Sequence, residues 1–207
     1  MEVRIKVDSE GLNITAMDPA NVAMVKFLLP KSSFTRFETD SETLGVNLDS
    51  LKKILKRSGS NSSLLMEKRE NILHIQIQDR IKRNFDLSLI DIDSEEKDIP
   101  NLEFSSSVEL DSKDFIDSIE DCGVVSDACS FIISDGRFMI EAKGLNSARS
   151  EFSSDEATIQ AENCKSRYSL EYLQKFIKAS KLFDKTQLKF ANDHPLIIRL
   201  RNDFMEI

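Results

Sequence analysis

Three cysteines, two histidines and two lysine-rich stretches hold most of the reactive side chains of this 207-residue sequence. Cys122, Cys129 and Cys164 form an odd set whose spacings match no zinc or redox motif, and they read as small core hydrophobes kept reduced. His74 and His194 lie far apart, each inside or just before a strand-like run, with no cysteine cluster or serine motif beside it. They read as structural. With 36 acidic residues some carboxylate pairs arise by chance, so a carboxylate hydrolase stays formally open, but no His, Ser or metal cluster supports one. Glycine is scarce, and neither a phosphate-cradling Gly-Lys-Ser/Thr loop nor a dinucleotide fingerprint occurs. The expectation is a protein without catalytic residues, metal or cofactor.

The basic residues say more. Lys52, Lys53, Lys56 and Arg57 stand against Asp49 alone, a local net charge of +3 on a chain of net charge −8. Lys175, Lys178 and Lys181 stand against Glu171 on a second stretch. Such faces neutralise phosphates without reading bases, which would make binding salt-dependent and independent of sequence. On charge alone an ordinary solvated helix face is the better reading, and an interaction module with no DNA role stays open. A third helical stretch runs the other way, with Lys113 outnumbered by Asp114, Asp117, Glu120 and Asp121.

The elements that carry these residues are short. Val3, Ile5 and Val7 alternate with polar residues, a Glu10-Gly11 turn follows, and Leu12, Ile14 and Ala16 resume the period of two, as a hairpin requires. Leu64 to Met66 with Leu73 to Ile77, and Phe131 to Ile133 with Phe138 to Ala142 around Asp135-Gly136, follow the same logic. Helices are expected from an Asn47 cap to Ser58-Gly59, from Ser112 to about Asp121, and onward from Ser169. With 40% hydrophobic residues the chain can bury a real core as one large or two smaller domains. Its longest apolar run, Val22 to Val25, is far too short for a membrane span. The charged N-terminus lacks a signal-peptide core, so a cytosolic or nuclear protein without membrane contact is expected.

An internal repeat organises the chain. Residues 45–58 align without gaps on 167–180, cap on cap and stripe on stripe. The hairpin from Gly11 to Ala16 pairs with the one from Gly136 to Ala142, and residues 83–90 echo 201–207. A duplicated α+β architecture follows, with a first domain at 1–90, an acidic connector at 91–103 and a second domain at 104–207. The second copy opens with a strand at 104–110 and a helix from Ser112, for which the first copy has no counterpart.

Leu12-Asn-Ile-Thr-Ala-Met-Asp-Pro-Ala-Asn-Val-Ala-Met-Val25, Leu44-Gly-Val-Asn-Leu48, Phe85-Asp-Leu-Ser-Leu-Ile-Asp91, Ile99-Pro100 and His194-Pro195-Leu196 together resemble the archaeal and eukaryotic sliding clamps, the proliferating cell nuclear antigen family. The resemblance spans essentially the whole chain, shortened at both ends. It implies a duplicated clamp fold in a ring of three subunits, with helices lining a central hole around duplex DNA and antiparallel sheets outside. It also implies a non-enzymatic processivity factor that tethers DNA polymerase, the clamp loader and other replication and repair proteins, cytoplasmic in an archaeon or nuclear in a eukaryote. The DNA-facing positions would be Lys52, Lys53, Lys56, Arg57, Lys82, Arg83, Lys175 and Lys178. Client proteins would insert a short hydrophobic motif against Met17, Asn21, Val22, Met24, Ile99, Pro100 and Pro195. Subunits would join through strand edges carrying Arg83, Phe85 and Leu87 in one domain and Arg149 and Glu151 in the other. The acidic helix leaves room for a subunit of a heteromeric or checkpoint-type clamp.

Overall fold

A computed structural model describes residues 1–92 and 102–207. The chain divides into two compact units, Met1–Ile99 and Pro100–Ile207. Ile99 and Pro100 lie outside the described residues, as does most of the connector.

In unit 1 the strands β1 (Glu2–Asp8), β2 (Gly11–Met17), β3 (Met24–Pro30) and β4 (Glu42–Asn47) build an antiparallel sheet of order β3-β2-β1-β4. Helix α1 (Leu48–Leu55) follows, and β5 (Ser63–Arg69), β6 (Ile72–Gln78) and β7 (Lys82–Ser88) form a second sheet in chain order. The alternation of Val3, Ile5, Leu44, Val46, Leu73, Ile75 and Ile77 sends these side chains to one interior, where Leu51 of α1 joins them. Gly11 is required where it stands. Its φ is +145°, and a Cβ there would lie 2.2 Å from the carbonyl oxygen of Leu29.

Unit 2 opens with β8 (Ser106–Asp111) and α2 (Ser112–Val125), then β9 (Ala128–Ser134), β10 (Arg137–Lys143), β11 (Ser147–Phe152), β12 (Ala157–Ala161) and β13 (Cys164–Ser169). Helix α3 (Leu170–Ser180), β14 (Lys185–Phe190) and β15 (Ile197–Arg199) complete it. Its sheets have the orders β11-β10-β9-β13 and β12-β8-β14-β15. The first reproduces β3-β2-β1-β4 strand for strand, so the duplication is structural as well as sequential. The β9–β10 turn uses Asp135 and Gly136, both at positive φ, as a tight two-residue hairpin requires. Phe131 sits at the centre of the core, edge-on to Phe115, Phe138, Tyr168 and Phe190 at ring separations of 5.1 to 6.2 Å. All three cysteines are buried and free, as expected of core hydrophobes.

Several boundaries differ from expectation. Helix α1 ends at Leu55, with Lys56 as its C-cap, so Lys56 and Arg57 lie in the turn beyond it. Helix α2 continues past Asp121 to Val125, because close packing on α3 outweighs the weak helix propensity of Gly123 and two valines. A Cβ on Gly123 would stand 2.4 Å from Nε2 of Gln174 on α3. The alignment of 83–90 with 201–207 fails. The former contains β7, while Arg201 follows β15 in a turn closed by its bridge to Glu206 and by Leu200 and Ile207.

Candidate functional sites

The basic face begins with the fold of α1. Asn47 caps the helix by accepting a hydrogen bond from the Ser50 amide at 3.0 Å. Leu51 is buried and Leu48, Ile54 and Leu55 are half-buried, which turns Lys52, Lys53, Lys56 and Arg57 to solvent. A spacing of four residues places Lys52 beside the C-cap Lys56, and Lys53 and the following Arg57 are exposed as well. Asp49, the one carboxylate of α1, is held below the usual aspartate range chiefly by the Met1 ammonium at 2.7 Å, with Lys52 and Lys53 adding a smaller pull.

The remaining basic residues divide. Lys82 on β7 is exposed. Arg83 is not a free cation, because its guanidinium pairs with Asp79, whose carboxylate also accepts from Ser62 Oγ. Ser62 Oγ in turn accepts from the Gly59 amide at 2.7 Å. Arg83 thus fastens the start of β7 to the loop after α1. On α3, Lys175 pairs with Glu171 at 2.8 Å and lies 5.1 Å from the centre of the Tyr172 ring, while Lys178 is exposed. The acidic residues Asp114, Asp117, Glu120 and Asp121 of α2 are exposed beside α3, and Glu120 reaches Lys181 at 3.9 Å.

The expected client site has one part in each unit. In unit 1, Met17 and Met24 face each other as the last pair of the β2–β3 ladder. The loop between them is built on Asp18, whose carboxylate accepts from the amides of Ala20, Val22 and Ala23 at 3.3, 2.7 and 2.8 Å. The Asp18 amide donates to Ala23 O at 2.8 Å, and Asn21 adopts φ +54°. This network holds Val22 outward with 68% of its surface exposed. Met supplies a deformable, polarizable contact surface to either side of the loop.

In unit 2, Pro195 is exposed just after His194. The His194 carbonyl accepts from Ser166 Oγ at 3.1 Å and from Tyr168 OH at 2.9 Å, and its ring meets Phe104 edge-on at 5.3 Å. Burial pushes the Tyr168 hydroxyl up to about 12. The order of Pro195 therefore depends on a backbone anchor that sequence reading missed. A tyrosine and serine two residues apart on a polar strand gave no signal of it.

Both strands expected at subunit contacts are sheet edges among the described residues, where β7 pairs with β6 alone and β11 with β10 alone. Their side chains divide. Leu87 is buried in the unit 1 core and Phe85 packs against it, so on β7 the inward side chains are structural and the edge offers main-chain groups. On β11, Glu151 pairs with Arg137 and, at 3.0 Å, with Arg149. Arg149 also lies 4.0 Å from Glu141 on β10. Arg137 first, then Arg149, holds the Glu151 carboxyl below its usual range. Among the described residues no group of three His, Cys, Asp or Glu side chains could hold a metal ion.

Two antiparallel units of repeated topology, each with a helix on its sheet, define a duplicated clamp fold. Comparison with known proteins gives the family. Residues 1–97 match the proliferating cell nuclear antigen N-terminal domain and residues 98–205 its C-terminal domain. The chain belongs to the proliferating cell nuclear antigen family. It is 35% identical over 202 residues to a DNA polymerase sliding clamp of Thermococcus fumicolans, covering 94% of this chain and 81% of the relative. The same name and identity hold for a relative from Pyrococcus furiosus over 203 residues. Among solved structures, the antigen from Thermococcus kodakaraensis superposes with a TM-score of 0.91 at 24% identity, over 99% of this chain and 87% of that one. That of Entamoeba histolytica gives 0.90 at 22%, over 99% and 86%.

Proposed function

We propose that this chain is a DNA sliding clamp, a processivity factor that encircles duplex DNA and tethers a DNA polymerase and other replication and repair proteins to it. The observation that carries the reading is the α1 face, where Lys52, Lys53, Lys56 and Arg57 stand exposed together on a chain of net charge −8. Family membership gives that face its role, since a lining of lysines neutralises phosphates while letting the protein move along the duplex. Lys82 and Lys178 extend the basic surface, and the paired Arg83 and Lys175 contribute less. The role assigned is tethering, with no catalytic step.

Assembly follows from the free edges. Strand β7 of one subunit pairs with β11 of the next, main chain to main chain, and three such joints close a ring. Clients insert a short hydrophobic motif against Met17, Asn21, Val22 and Met24 from unit 1, Pro195 from unit 2, and Ile99 and Pro100 of the connector at 91–103. The acidic outer face of α2 favours a second reading, in which this chain is one subunit of a heteromeric ring and its companions supply the missing positive charge.

One experiment separates a ring from a basic patch. Loaded on nicked circular DNA the protein should stay bound, and it should run off once the circle is cut. Equal retention on circles and linear duplex would refute encirclement. Light scattering of the same preparation, alone and with companion subunits, gives the subunit number.

A further inference from the structure

The four strands that end the two sheets of unit 2 are guarded unequally. Strand β11 carries Arg149 and Glu151, β13 carries Lys165 and Arg167, and β15 carries Arg199. Strand β12, Ala157-Thr-Ile-Gln-Ala161, has no charge, proline or bulge, the devices that keep natural sheet edges from pairing. It pairs with β8 alone among the described residues. Ring closure through β7 and β11 engages other sheets and leaves it open.

The ladder shows which backbone groups of β12 are open. Just beyond the strand ends, the Ser112 amide donates to Asp184 O on the β14 side, and the Glu162 amide donates to Ser105 O on the β12 side. In an antiparallel pair the hydrogen-bonded residues recur at every second position, so the even-numbered residues of β8 bond to β14 and the odd-numbered ones to β12. Ser107 and Glu109 therefore hold Gln160 and Thr158, their partners in register. The amides and carbonyls of Ile159 and Ala161 point the other way, and none has a partner among the described residues.

The surroundings are acidic. Residues 150–164 contain Glu151, Asp155, Glu156 and Glu162 and no lysine or arginine. Glu109 stands exposed opposite Thr158. The basic residues of β14, Lys185 and Lys189, lie two strands away, and Lys185 is already paired with Asp111 at 3.2 Å. On the opposite face Ile159 packs against the core, with Ala157 buried beside it.

We propose that the β12 edge docks an extended polypeptide segment of alternating basic and apolar residues, which joins the sheet as a further strand. Its main chain pairs with Ile159 and Ala161. Its basic side chains share the face of Thr158 and Glu109, and its apolar ones share the face of Ile159. A second copy of β12 is a poor occupant, because antiparallel pairing about Ile159 sets Glu156 of each copy against Glu162 of the other. The site uses neither the α1 lysines nor the loop between Met17 and Met24, so its failure would leave the clamp reading untouched.

The test uses the 207-residue protein and two synthetic peptides, Lys-Val-Lys-Val-Lys-Val as probe and Glu-Val-Glu-Val-Glu-Val as control. Amide hydrogen exchange is read residue by residue along β12. Saturation with the lysine peptide should slow the Ile159 and Ala161 amides by about tenfold or more and leave Thr158 and Gln160, already bonded to β8, unchanged. Ala161→Pro removes an outward amide at an exposed position without touching the β8 ladder, and it should abolish binding. The double variant Asp155→Lys with Glu162→Lys keeps every amide and should exchange the preference, binding the glutamate peptide instead. Unchanged Ile159 and Ala161 exchange with the lysine peptide would overturn the proposal, as would equal protection by both peptides or a preference that charge reversal leaves in place. So would β12 protection in the protein alone that rises with its concentration, the mark of a second copy on the edge.

Discussion

Replacing Lys52, Lys53 and Lys56 together with glutamate turns the local charge of the α1 region from +3 to −3, counting Arg57 and Asp49 as they stand. All three side chains are exposed, and the helix rests on Leu51 and the Asn47 cap, so the fold should change in stability by no more than about 0.5 kcal/mol per site. Binding to duplex DNA should change far more. Each phosphate neutralised contributes about 0.9 to the slope of log affinity against log salt. Losing three contacts therefore flattens the slope by about 2.7 for each engaged subunit. A fourfold rise in salt should then weaken the wild-type protein about 40-fold more than the variant. Fluorescence anisotropy of a labelled linear duplex, titrated at several salt concentrations, measures both slopes. Thermal melts confirm that the variant is folded, and a client peptide should bind it normally. An unchanged slope in a folded variant would refute the assignment, and these lysines would then be a solvated helix face.

Val22→Asp should weaken client-peptide binding by about tenfold or more while leaving the melting temperature within about a degree, since Val22 is already 68% exposed; equal losses in affinity and stability would mean that Val22 serves the fold. Proline scanned across Ser147–Phe152 should lower subunit number at alternate positions, where the lost N–H points away from β10, and unfold unit 2 at the others. Light scattering that showed no such alternation would remove β11 from the subunit contact. Tyr168 has its pKa raised to about 12 by burial, so its contribution to stability is complete below the unfolded value of about 10 and is lost as pH rises through the folded one. Denaturant melts of the wild type should weaken across that window more steeply than those of Tyr168→Phe, and parallel curves would contradict the buried-hydroxyl reading.

Sequence patterns were most legible where they were local. The Asn47 cap, the Asp135-Gly136 turn and the alternation of β1, β2, β6, β9 and β10 each follow from residues close together in the chain. Strands such as β13, Cys-Lys-Ser-Arg-Tyr-Ser, and β14, Lys-Thr-Gln-Leu-Lys-Phe, are not legible, because one inward position in three is a Ser or Thr satisfied by a partner far away, as Ser166 is by His194 and Thr186 by Ser112. At the sites, charge type could be read but pairing could not. Arg83 and Lys175 looked the same as Lys53 until Asp79 and Glu171 were found beside them. The resemblance puts Leu87 and Phe85 on a subunit edge without saying which way they face, and strand alternation sends both side chains inward.

The two units share one four-stranded sheet order and the helix that follows it, but not a core. Among the described residues, unit 2 buries twenty hydrophobic side chains in one cluster, with its phenylalanine rings interlocked, while unit 1 buries nine and no aromatic ring. Chains built this way come apart in stages, the weaker module melting while the stronger persists. Differential scanning calorimetry should therefore resolve two transitions, with unit 1 the first to go. The lower transition would withdraw α1 and the β7 edge at temperatures where β11 still stands folded and open, so heat inactivation of this protein should be governed by the half with the smaller core.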